Sequence, residues 1–359
     1  MSTSIKNISV AIDGTKSSGF CIELDGTRWR LDNFMLSQSL LSPNTLSFSL
    51  HKEPDERINE VSFNVCGAII GKEVLISLET ESVEKESLKA DTDSVADIEF
   101  AGVIIGASGS RNRSEFSVNV EACSWDALLN DNPTCKSFEN QTLNDIVNDV
   151  VDDYSEHLEA DVDARFTDAI PYCVQYNDSN YQFLQRLARR YGEWLYNDGK
   201  KMVFGNLPKG ESVKLAYPSQ DVPSYNVDLK MRHVAFNHVA SSYNSYDANE
   251  KEGIEEMQRE YNTLSEQVFQ ASQSCFVKPT LQNLHSGGFA DSDGRETVLN
   301  ISTKTQARGE KASMLTYSGT PYCSKLKIGS KLVIVDNYMP DASALEKSNV
   351  EQDEMLVTE

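Results

Sequence analysis

Residues 171–205 read PYCVQYNDSNYQFLQRLARRYGEWLYNDGKKMVFG, and in this stretch each local signal agrees with the next. Pro171 to Tyr176 reads as a strand. Asn177 or Ser179 stands where a short polar side chain can cap a helix, accepting from a backbone N–H that has no partner in the first turn. Phe183, Leu184, Leu187, Ala188 and Tyr191 recur at three and four residues and form one apolar stripe. Gly192 suits the left-handed conformation that ends a helix. The chain then runs EWLY, turns at Asn197-Asp198-Gly199 and returns as MVFG, the pattern of a hairpin. No residue here has evident catalytic character.

A second helical period lies upstream. In NQTLNDIVNDVVDDY, residues 140–154, Leu143, Ile146, Val147, Val150, Val151 and Tyr154 share a face, with Asn140 or Thr142 available as the cap. Residues 126–205 therefore read as an α/β module.

Strands precede it. Ile8, Val10 and Ile12 alternate up to Asp13-Gly14, and Phe20, Ile22 and Leu24 up to Asp25-Gly26. The pattern repeats at Leu46, Phe48 and Leu50, at Val74, Ile76 and Leu78, and at Phe116, Val118 and Val120 after the polar turn SGSRNRS. Many short alternating strands suggest a closed or nearly closed antiparallel barrel over 1–125. The acidic stretch from Glu79 to Glu99 reads as a solvated loop or long hairpin.

Strands resume after 206, in HVAFNHVASSY, VLNISTKTQA and SKLKIGSKLVIVDNY. Residues 206–246 and 296–359 are expected to form a second β-barrel, with 247–295 as an insertion. Within the insertion Ile254, Met257, Tyr261, Leu264 and Val268 recur at helical spacing, and loops compete with a helix there. The expected fold class is α+β, mainly β: two similar antiparallel barrels with an α/β module between them.

Composition narrows the function. The 359 residues carry a net charge of −22, which argues against direct nucleic-acid binding, where Lys and Arg neutralise phosphates. No apolar run approaches the ~18 residues of a membrane span, and the start MSTSIKNISV has no secretory pattern. The seven cysteines, at 21, 66, 123, 135, 173, 275 and 323, form no CxxC pair and read as reduced core residues. His233 and His238, five apart in a strand-like segment, fall on opposite faces and suit no shared metal. GTKSSG at 14–19 lacks the order of a phosphate loop and joins two strands. Acidic pairs such as Asp152-Asp153 are expected by chance among 55 carboxylates. No catalytic, metal or cofactor-binding residue is assigned, and no cofactor is expected.

The opening stretch resembles the VgrG family, the spike proteins of type VI secretion, and the related hub proteins of contractile phage tails. Gln175, Tyr176, Asp178, Phe183, Leu184, Arg186, Leu187, Gly192, Trp194 and Tyr196 fill the family's strand–turn, helix and aromatic-strand positions. A second block is similar as well, through Phe100, Gly102, Phe116, Trp125, Leu128, Leu129, Phe138, Thr142, Ile146 and Val147. The resemblance covers 96–205. It implies a non-enzymatic hub that assembles as a homotrimer, whose six barrels make a pseudo-sixfold ring matching an Hcp-like hexameric tube. It further implies baseplate proteins as neighbours, and a tip protein or effectors as cargo. It implies assembly in the cytoplasm and then ejection, with no nucleic-acid partner and no stable membrane insertion. The family continues into a further barrel and a β-helical needle where this sequence ends at NVEQDEMLVTE. That departure suggests a shortened hub, or one relying on another chain for its tip.

Three other readings remain open on the residues alone. A phage tail or extracellular injection-particle hub shares the same signals. A carbohydrate-active enzyme built from β domains predicts a cleft with two facing carboxylates. A monomeric acidic adaptor predicts binding to a basic partner that collapses as salt rises.

Overall fold

Alternation in the first third of the chain builds one antiparallel sheet. The computed structural model describes residues 4–17, 19–24, 27–52, 64–81, 98–112, 115–207, 212–217, 222–232, 237–244, 249–256, 263–276, 280–283, 300–301, 305, 309, 312–319, 326–336, 350–351 and 355–358. The first strands are β1 (Ser4–Ile12), β2 (Thr15–Lys16), β3 (Cys21–Leu24), β4 (Thr27–Ser37) and β5 (Thr45–Lys52). A short helix, α1 (Asn64–Ile69), precedes β6 (Glu73–Glu81), β7 (Ile98–Asn112) and β8 (Glu115–Ser124).

These strands join in the order β2-β1-β6-β7-β8-β5-β4-β3, every pair antiparallel. The edge strands β2 and β3 return to within contact of each other, so the sheet curls into a nearly closed barrel. Asp13 and Gly14 both take positive φ, as a tight hairpin turn requires. Val10, Leu46, Phe48, Leu50, Val74, Ile76, Phe116, Val118 and Val120 face one buried core.

Several details differ from the sequence reading. Phe20 precedes β3 in a turn and is exposed. SGSRNRS is not all turn, because Ser108–Asn112 continue β7 and pair with Glu115–Asn119. α1 was not expected, and it buries Val65, Cys66 and Ile69. Cys66, Cys123 and Cys173 are buried, but Cys135 and Cys275 are exposed thiols, not core residues. The turn at 25–26, most of the acidic stretch (82–97), His233 and the segment 286–294 lie outside the described residues.

The α/β part follows a 3-10 turn at Trp125–Asn130. It contains β9 (Thr134–Gln141), α2 (Leu143–Val151), β10 (Ala160–Asp163), β11 (Ile170–Asp178), α3 (Asn180–Tyr191), β12 (Trp194–Asn197) and β13 (Met202–Gly205). β9 and β11 pair as an antiparallel ribbon. The β12–β13 hairpin gains β10 as a parallel neighbour of β13. The apolar faces of α2 and α3 bury against these strands in a second core. The segment 38–44, between β4 and β5, is stitched to this part by Leu41 N–H donating to Leu195 O at 2.8 Å and Gln185 Nε2 donating to Leu41 O at 2.7 Å.

The remaining elements are β14 (Val213–Tyr217), β15 (Tyr225–Leu229), β16 (Asn237–Asn244), β17 (Asn249–Glu256), α4 (Thr263–Cys275), β18 (Thr280–Asn283), β19 (Leu315–Gly319), β20 (Lys331–Asp336), β21 (Val350–Glu351) and β22 (Met355–Leu356). Among the described residues they form three small sheets. Two pairs, β14–β20 and β16–β18, are parallel, where only antiparallel pairs were expected. Ile254 lies in β17, so the helix of this region starts later than its spacing suggested, at Thr263. Residues 300, 301, 305, 309 and 312 are helical, which corrects the strand read into VLNISTKTQA. Ile301 packs against the second core, and that contact overrides the β-branched composition around it.

Candidate functional site

The two long helices are entered by the same device. Asn140 and Asn177 each take a left-handed φ of 52°, a conformation asparagine tolerates better than most residues. Two residues later Thr142 and Ser179 cap α2 and α3, so of the two candidates at each helix the later one is the cap. Each cap is a reciprocal box: Asp145 returns a bond to the Thr142 N–H, and Gln182 to the Ser179 N–H. The hydrogen bonds from Thr142 lower the pKa of the Asp145 carboxyl. Gly192 ends α3 with φ 73°. A side chain there would be strained, and its Cβ would stand 2.5 Å from Thr305 Oγ1.

Between these helices the family-type residues gather. Phe138 of β9 and Phe183 of α3 stack with ring centroids 5.6 Å apart and planes 7° from parallel. Lys136 Nζ lies 5.5 Å from the Phe138 centroid, and the Arg186 guanidinium 5.1 Å from that of Phe183. Two cations thus flank a buried aromatic pair. Arg186 donates through Nε and Nη2 to Asp178 Oδ2 at 3.2 and 2.8 Å, and through Nη2 to Val174 O at 2.7 Å. Gln175 is buried, donating to Asp178 O at 3.0 Å and to Asn180 Oδ1 at 2.8 Å. Leu184 and Leu187 are buried beside Phe183.

Phe100 and Gly102 sit apart, in β7 of the barrel. Trp125 begins the 3-10 turn and stacks on His157 at 4.8 Å. Trp194 and Tyr196 lie in β12, where burial pushes the Tyr196 phenol up to about 12. Tyr176 is 76% exposed, so it belongs to the surface and not to the packed unit. Glu193 is buried and accepts from the Arg165 and Phe166 N–H groups at 3.0 and 2.9 Å, and from Arg165 Nε at 3.2 Å.

One constellation had no signal in the sequence. Asn44, Ser124, Asp126 and Asn197 meet between the two cores, none more than 1% exposed. Asn44 N–H donates to Ser124 Oγ at 2.8 Å, Asn44 Nδ2 to Asn197 Oδ1 at 3.3 Å, and Asn197 Nδ2 to Asp126 Oδ1 at 2.9 Å. Ser124 Oγ also donates to Asn44 O at 3.4 Å, and Ser124 lies beside the Asp126 carboxyl, which closes the ring.

On the outer face of the barrel, bulges at 32–35 in β4 and 104–106 in β7 turn Met35 and Ile105 outward. They flank a hollow of about 200 Å³ whose lining includes one carboxylate, Glu121, in place of the facing pair a glycosidase cleft requires. Among the described residues no three His, Cys, Asp or Glu side chains gather as a metal site.

A family model described as phage tail baseplate hub (GPD) matches residues 60–242, just over half of the chain. The tail protein from Neisseria meningitidis MC58 is similar in structure, with a TM-score of 0.61 and 10% identity, over 96% of this chain and 89% of that one. The 43 kDa tail protein of prophage MuSo2 from Shewanella oneidensis gives 0.57 and 12%, over 99% and 93%. The E. coli c3393 protein, a component of the type VI secretion system, gives 0.51 and 15%, over 97% and 71%. At such identities the likeness is one of fold. No curated protein matches the chain in sequence.

Proposed function

The chain belongs to the phage tail baseplate hub family, and from that premise we propose that it is the structural hub of a contractile injection machine. The observation that carries this reading is the span of the family match, which runs from the barrel through the whole α/β part. Fold likeness to tail proteins over nearly the entire chain supports it. So does the character of the family-type residues, which stack, cap and turn, and present no reactive pair.

In this reading the chain is not an enzyme, and the first barrel (1–125), the α/β module (126–205) and the second barrel with its insertion at 247–295 make up one segment of a ring. Three copies place six β domains around an axis, the second of each pair built from 206–246 and 296–359. The ring caps an Hcp-like hexameric tube, meets baseplate proteins at its rim and carries a tip protein or effectors below. It assembles in the cytoplasm and is ejected, without binding nucleic acid or entering a membrane stably. Phe100, Gly102, Trp125, Phe138, Gln175, Asp178, Phe183, Leu184, Arg186, Leu187, Gly192, Trp194 and Tyr196 serve shape, with Tyr176 on the surface.

A hub of a phage tail or extracellular particle, in place of a type VI secretion spike base, is the second reading. It is favoured by the tail proteins among the similar structures, prophage proteins among them. Either machine requires the ring. Negative-stain averages of the purified chain are expected to show six lobes around a central axis. Averages showing only isolated two-lobed particles would overturn the ring.

A further inference from the structure

The polar ring between the two cores leaves several buried polar atoms unsatisfied. Among the described residues, Asp126 Oδ2, Asn44 Oδ1 and the Tyr181 hydroxyl have no hydrogen-bond partner, although Asn44, Asp126 and Tyr181 are at most 1% exposed. Buried polar atoms are rarely left in this state. Asn44 and Asp126 are both bonded to the Asn197 amide, one to its oxygen and one to its nitrogen. The Tyr181 phenol, from α3, lies within reach of the Asp126 charge.

The groups facing Asp126 are Cys123 and Ser124 from the end of β8, Asn197 from β12 and Tyr181 from α3. None is a cation, and Asp126 takes part in no ion pair among the described residues. As a carboxylate it would carry a charge with no cation beside it into a buried site, which is costly. As a neutral acid it avoids that cost, and its O–H adds a donor to a ring in which Asp126 Oδ2 and Asn44 Oδ1 are left as unpartnered acceptors among the described residues.

We propose that Asp126 holds a proton in the folded chain, and that this proton seals the polar ring joining the barrel to the hairpin β12–β13. Burial raises the Asp126 carboxyl above its ordinary value and outweighs the opposing hydrogen bonds from Ser124, its own backbone and Asn197. The sign of the linkage follows. A carboxyl whose folded pKa is raised makes the folded state bind more protons than the unfolded one. The stabilisation is fully present below the unfolded value, about 3.9, and is lost as pH rises to the folded value. The barrel–hairpin junction therefore loosens as pH rises through that window.

The test is urea unfolding of the full chain across about pH 4 to 8, for the wild type and for Asp126→Asn. The amide keeps an oxygen for Asn197 Nδ2 and places a donor where the acid proton stands. The ratio of wild-type to D126N folding constants is expected to fall by up to about tenfold per pH unit inside the window. A flat ratio overturns the proposal. Should D126N fail to fold, infrared spectra of the wild type decide: a protonated-carboxyl stretch persisting well above pH 4 supports the proton, and its absence overturns it.

Discussion

Phe183→Ala is expected to lower the free energy of unfolding by about 3–5 kcal/mol, the range seen when a fully buried aromatic side chain is removed from a well-packed core. Phe183 has no solvent exposure, and its ring is held on one side by Phe138. The backbone around it is fixed by the caps at Thr142 and Ser179 and by the left-handed end at Gly192, so the walls cannot collapse far into the space. Urea titration measures the loss. Tyr176→Ala, three residues before the Ser179 cap and 76% exposed, provides the contrast, at about ±0.5 kcal/mol. A Phe183→Ala loss below about 1 kcal/mol would mean that the stack does not carry the module.

Gly102→Ala is expected to cost about 3 kcal/mol or more and to leave little folded barrel. A Cβ at this position would stand 2.1 Å from Cys123 O, 2.8 Å from Cys123 C and 2.8 Å from Phe100 Cζ. The first two are backbone atoms of the paired strand β8, so relief requires separating β7 from β8. Overpacking that a side chain can absorb costs less than that. Gly67→Ala is the control. Gly67 lies in α1 with no described atom within 4 Å of its Cβ position, and alanine there is expected to be neutral or slightly stabilising. Equal behaviour of the two variants in thermal unfolding would contradict the close strand approach.

What the sequence reveals and what it hides divide along physical lines. α2 and α3 are legible because capping, periodicity and the terminal glycine all act within one or two turns. The barrel strands are legible because one face of each is buried, which enforces alternation. α1 is hidden because six residues are too short to show a helical period inside an apolar run. The polar end of β7 is hidden because Ser108–Arg111 send no side chain into the core, so no alternation marks it. The helix around 300–312 is misread because its β-branched residues favour strands locally, while Ile301 is drawn to the second core.

The polar ring shows the harder limit. Asn44, Asp126 and Asn197 are separated by scores of residues, and each in isolation looks like a surface or turn residue. Only the folded chain brings the segment 38–44, the 3-10 turn and the hairpin together. Similarly, Tyr176 reads as part of the packed unit by its neighbours in sequence, but the register of β11 against β9 turns it to solvent.

The measurement that bears most directly on the hub is the mass of the purified chain by light scattering. A species of about 120 kDa, three times the 40.0 kDa chain, is the predicted result. A mass of 40.0 kDa that does not change with concentration would contradict a self-sufficient ring and favour the monomeric acidic adaptor.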